Sequence, residues 1–170
     1  MVSRMIAECQ EFELTYKIQG LSPSLFQAYF AMDEANLREE NIEVVLADDS
    51  KPGFPCRVSL ADAHPGDRLL LINFQHLDCA SPYRSSHAIF VSEGSHAAFN
   101  EKGEVPQIIL ERVLSIRAFD NKDMMLDADV VEGTKAEAYI EKAFSDKTVA
   151  YLHIHFAKRG CFAARVDRVS

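Results

Sequence analysis

The chain has 170 residues, 48% of them hydrophobic and 26% charged, which suits one folded domain with a real core and excludes a disordered chain. A net charge of −8 at pH 7 weighs against general binding to nucleic acid or to an anionic membrane, because like charges repel at long range. No window approaches the roughly 18 unbroken apolar residues of a membrane helix, and the opening MVSRMIAECQEFEL lacks a signal-peptide apolar core. The expected location is therefore the cytoplasm, where Cys9, Cys56, Cys79 and Cys161, none in CxxC spacing, stay reduced.

Residues 12–18 alternate as a strand. Ser22 followed by Pro23 predicts a helix start, with Leu25, Phe26, Tyr29 and Met32 as its apolar side. A second short helix is expected over 34–40 and a strand over 42–47, before the turn-rich DDSKPGFPC. Residues 67–76 are apolar on both faces and predict a central strand, with 85–93 as its neighbour. Pro106 opens a helical turn or two, 113–119 is extended, DNKD turns, and 125–131 returns as a strand. Thr134 and Glu137 have the spacing of a capping box, in which each side chain satisfies the other's free N–H. Ala136, Tyr139, Ile140, Ala143 and Phe144 then follow an amphipathic helical period.

Residues 148–156 and 161–168 predict a hairpin containing YLHIHFAKRGCFAARV. A strand has period two, so Tyr151, His153 and His155 share one face while Leu152, Ile154 and Phe156 share the other and face the core. The two histidines stand roughly 6.5–7 Å apart along the strand. Lys158–Arg159–Gly160 suits a three-residue loop with a left-handed glycine last. That register opposes Ala157 to Cys161, His155 to Ala163 and His153 to Arg165, and it places Cys161 and Arg165 on the histidine face.

Three chemistries follow. His153 and His155 are natural ligands for a divalent ion such as zinc, with a further ligand from Cys161, His87, Asp127 or Asp129, although polar surface is the simpler explanation of two such histidines. Cys161, beside Lys158 and Arg159, is a candidate thiolate nucleophile with His153 and His155 as partners; Cys56 before Arg57 is another, against the usual role of a free cysteine as a small buried apolar group. Arg57, Arg84 and Arg165, with Ser85, Ser86 and His87, supply donors for an anion, or else structural ion pairs. Asp127 and Asp129 share a strand face that is better explained by solvation. His64, His76 and His96 receive no role, and no Walker loop, GxGxxG, HExxH or GxSxG occurs.

PGFPCRVSL (52–60), PYRSSHAIFV (82–91), MMLDADVVEG (124–133) and HIHFAKRGCFAARVDR (153–168) together resemble the bacterial proteins grouped as domain-of-unknown-function family 1203. The resemblance runs from about residue 12 to the end and implies a small single domain with no catalytic residues to carry over. Where such proteins tend to have a polar residue after the second histidine, this chain has Phe156.

The expectation is one α+β domain over 12–170 after an extension of 1–11, with a mostly antiparallel twisted sheet and two to four helices. Its expected function is a pocket for a small anionic ligand, lined by Arg57, Arg84, Ser86, His87 and Arg165 beside His153, His155 and Cys161, with hydrolase- or transferase-like chemistry. The alternatives are a His-x-His metal site and a protein-interaction module.

Overall fold

Among the described residues, alternating apolar residues generate eight strands: β1 (Thr15–Gln19), β2 (Glu43–Leu46), β3 (Arg68–Leu77), β4 (Ser85–Ser92), β5 (Val113–Phe119), β6 (Met125–Glu132), β7 (Tyr151–Phe156) and β8 (Phe162–Val169). The computed structural model describes residues 15–169; the expected extension and the first part of the expected strand over 12–18 lie outside them. Between the strands come α1 (Gln27–Phe30), α2 (Glu34–Glu39), α3 (Gln107–Leu110) and α4 (Ala136–Ser145). The fold is α+β, as expected, and every strand pairing is antiparallel. The strands form two sheets instead of one, however: a five-stranded sheet in the order β1-β8-β7-β5-β6 and a three-stranded sheet β2-β3-β4. β3 is central, but within the smaller sheet.

Each sheet has its own core. On the larger sheet Leu114, Ile116, Leu152, Ile154, Phe156 and Val166 project from one face onto α4, which answers with Ala136, Tyr139, Ile140 and Phe144. The smaller sheet packs Leu70, Ile72, Ile89 and Val91 against Phe26, Leu37 and Ile42. The Leu152–Ile154–Phe156 stripe thus faces the core, as its period required. No helix among the described residues is long and apolar enough to cross a membrane.

Two expected caps give way to other contacts. Thr134 lies in a 3-10 turn (Gly133–Lys135) before α4, which has no side-chain cap; Glu137 instead accepts a 3.2 Å hydrogen bond from the Tyr16 hydroxyl. Ser22 likewise caps nothing, and the expected first helix breaks into a 3-10 turn (Pro23–Leu25) and the four-residue α1. α2 is capped by Asp33, whose carboxylate accepts from the Asn36 N–H at 2.9 Å.

The β7–β8 hairpin departs from the expected three-residue loop. Phe156 N–H donates to Cys161 O at 3.0 Å and Gly160 N–H to Phe156 O at 2.8 Å, which closes a four-residue loop, Ala157 to Gly160. His155 then opposes Phe162 instead of Ala163, and a bulge restores the expected His153–Arg165 and Ile154–Ala164 pairs. The physical reason lies in Phe162, whose ring turns to the histidine face and stacks on His76 at 4.7 Å. Cys161 is displaced from that face and packs at the margin of the main core. Gly160 is left-handed as expected, at φ 71°, and an added Cβ would touch nothing within 4 Å. Gly160→Ala should therefore cost only the backbone penalty of about 1–2 kcal/mol, readable as a lower midpoint in urea.

Candidate metal centre

The C-terminal end of β3, the start of β4 and the middle of β7 meet where the two sheets abut. His76, on β3, and His87, on β4, flank a register shift between Phe74 and Leu77. Their rings stack at 4.9 Å, with Nε2 of His76 2.8 Å from Nδ1 of His87. The Ser85 hydroxyl lies 3.2 Å from the same Nε2. From the opposing sheet His155 comes within 5.1 Å of the His76 ring and 5.2 Å of the His87 ring. His153, completely buried, meets the His76 ring at 5.4 Å and Phe162 at 5.1 Å.

The tautomer of His155 follows from its partner. Nδ1 lies 3.0 Å from the Gly160 carbonyl oxygen, which can only accept, so Nδ1 carries the proton. Nε2 then holds a free lone pair, buried and without a hydrogen-bond partner among the described residues. Metal-binding histidines are commonly held in this way, with one nitrogen donating to a carbonyl and the other left for the ion. Nδ1 of His76 and Nδ1 of His153 are also buried without partners among the described residues.

Among the described residues, His76, His87 and His155 form a group in which one donor nitrogen from each lies within 4.8 Å of the others. Ligand nitrogens on a tetrahedral ion with bonds near 2.05 Å stand about 3.4 Å apart, so an ion would draw the widest pair together and open the 2.8 Å contact between His76 and His87. All four histidines are held neutral chiefly by burial. His76 is pushed down to about 4 and His155 to about 3, His153 falls further, and His87 is also lowered. The charge of Arg117 on β5 adds to the depression at each of them. Neutral imidazole is the form that binds a metal.

The other expected site residues scatter. His153 and His155 share a face, but their rings stand 6.2 Å apart and the converging set takes only His155 of the two. Cys161 is not on the histidine face: its Sγ accepts a 3.1 Å hydrogen bond from Arg57. Arg57 reaches the hairpin as a buried strut, 1% exposed, donating to Phe162 O at 2.7 Å and to Pro55 O. Cys56 is buried, with Sγ 3.2 Å from the Ser95 hydroxyl. Arg84 is exposed and paired to Asp78 at 3.2 Å. Strand alternation exposes Ser86 and turns Ser85 inward. Arg165 lies over the Tyr151 ring and pairs with Asp167 at 2.8 Å. Asp127 points to the other face of β6, where it accepts from the Tyr139 hydroxyl at 3.3 Å. His76 and Arg117 are the residues that sequence reasoning passed over; His76 ended an apolar strand and Arg117 sat in another, with no local motif around either.

Comparison with known families matches residues 53–168 to the family described as protein of unknown function (DUF1203). No curated protein and no solved structure matches the chain. The matched span contains His76, His87, Arg117, His153 and His155, so the whole histidine cluster lies inside it. It covers well over half of the chain, and the chain belongs to the DUF1203 family.

Proposed function

We propose that this protein binds one divalent transition-metal ion of the zinc type through His76, His87 and His155, and acts on a small molecule there. The observation that carries this reading is the convergence of three imidazoles from two sheets, with the buried Nε2 of His155 left unpartnered and aimed by the Gly160 carbonyl. Three neutral nitrogen ligands suit zinc and leave a fourth position for water or substrate. An ion so held supplies a Lewis acid and lowers the pKa of its water to about 7, which suits hydrolytic or transfer chemistry. His76 and His87 are half-buried and leave the site approachable from solvent. The free thiols of Cys56, Cys79 and Cys161 suit a reducing compartment, and we place the protein in the bacterial cytoplasm.

Metal analysis after dialysis against excess zinc should give one zinc per chain. His155→Ala and His76→Gln should each weaken zinc binding by more than the roughly 10–100-fold typical of losing an outer hydrogen-bond partner. Saturable binding that both variants retain would place the ion elsewhere, and no saturable binding by the wild type would end the proposal. The interaction-module alternative has one observation in its favour, the exposed Met124, Leu126 and Val130 at and beside edge strand β6. A monomer at all concentrations in sedimentation would count against self-pairing along that edge.

A further inference from the structure

Among the described residues, Arg117 is a charge without a counter-charge. It projects from β5 opposite His153, on the face that carries the histidines. It is half-buried, and its one side-chain hydrogen bond among the described residues runs from Nε to the neutral Ser115 hydroxyl at 3.5 Å. Arg38, Arg68, Arg84, Arg112 and Arg165 each sit on a carboxylate, whereas Arg117 makes no ion pair among the described residues.

The strand register explains why. On neighbouring β6, Asp127 and Asp129 oppose Ala118 and Ile116, so they face away, while Ala128 stands opposite Arg117. On β8, Asp167 is occupied by Arg165 and by the Gln19 amide at 3.1 Å. Among the described residues, the groups that Arg117 acts on are thus the neutral imidazoles of His76, His87, His153 and His155 and the Ser115 hydroxyl. Burial costs this guanidinium, and no ion pair among the described residues offsets the cost.

We infer that Arg117 anchors a small oxyanion, a carboxylate or phosphate, whose other oxygen completes the coordination of the ion held by His76, His87 and His155. This rests on the metal reading and adds the ligand class. An all-histidine set leaves the ion's full double charge, and Arg117 raises the local charge further, so an anion is the partner that neutralises the site. The planar guanidinium fork fits two oxygens of such a group, and the second orientation then comes from the metal. The anion site expected from Arg57 and Arg84 is thereby transferred to a different arginine.

The full chain loaded with cobalt(II) reports both events in its visible absorption. Titration with inorganic phosphate, and separately with acetate, should shift the cobalt bands saturably in the wild type. Arg117→Met should keep stoichiometric cobalt binding and weaken the anion response by about 10-fold or more, the loss of a charge-assisted pair. Arg117→Lys should fall between, since it keeps the charge and loses the fork. Circular dichroism checks that each variant is folded, and the lysine form carries the comparison if the methionine form is not. A saturable response to one anion alone identifies which oxyanion class the site takes. A cobalt spectrum blind to both anions, or anion binding equally tight in both variants, overturns this inference and leaves the metal site standing. No cobalt spectrum at all removes the metal site and this inference with it.

Discussion

Arg57→Ala should destabilise the protein by about 3 kcal/mol, measured as a lower urea midpoint at unchanged slope. The side chain is 1% exposed and is held by two backbone carbonyls, those of Phe162 and Pro55, and by the Cys161 sulfur. Its guanidinium also lies over the Phe156 ring at 5.0 Å. Truncation removes two charge-assisted hydrogen bonds to buried carbonyls, at about 1.5–3 kcal/mol each, and leaves a large void. The opposing gain, relief from burying a charge, is limited because three hydrogen bonds already compensate that charge. Arg57→Met fills most of the void and should lose less than the alanine form. A loss below about 1 kcal/mol for Arg57→Ala would mean that the strut is dispensable.

The metal-free protein should lose stability steeply below pH 6.5. His153 and His155 titrate near 6.5 when unfolded, but burial holds them at about 2 and about 3 in the native chain. Between those values the unfolded chain binds protons that the folded chain refuses, so acid favours unfolding. Their contribution is complete above pH 6.5 and drains away as the pH falls toward the native values. The slope is about 1.4 kcal/mol per pH unit for each proton, so the pair can consume a typical stability of about 5–15 kcal/mol within a few units. His153→Phe should flatten this limb by one proton. Its ring is already bedded among Phe119, Tyr151 and Phe162 at 5.1–5.3 Å, and the substitution removes an unpartnered nitrogen. Thermal melts in EDTA from pH 7.5 to 4 read both slopes; parallel curves for the two proteins would refute the assignment to His153.

Local pattern carried most of the fold. β3 was visible from its apolar run, α4 from its period, and the two faces of β7 from strict alternation, because each depends on neighbours in sequence. The division into two sheets was not visible, since strand pairing is set by distant partners. The capping box failed for a related reason: Glu137 found a hydroxyl 121 positions away. At the site, His153 and His155 were legible as a face, and His87 as a candidate further ligand. His76 was not, because only the meeting of β3 with β7 brings it to the others. Cys161 was misplaced by one added loop residue, enough to reverse the side on which a strand residue emerges.

The place where the two sheets abut also governs how the molecule comes apart. Each sheet buries its own apolar residues, and among the links between them are the histidine rings, Phe162 and the reach of Arg57 from beside β4 to the carbonyl of Phe162. These links therefore set the cooperativity of unfolding: intact, they let one transition serve both halves, and weakened, they let the β2–β4 half open alone. Amide exchange on β4 faster than on β7 would be the signature of that uncoupling. An ion between His76 and His155 would join points 79 residues apart in the chain and act as a reversible crosslink, suppressing such partial opening while it is bound.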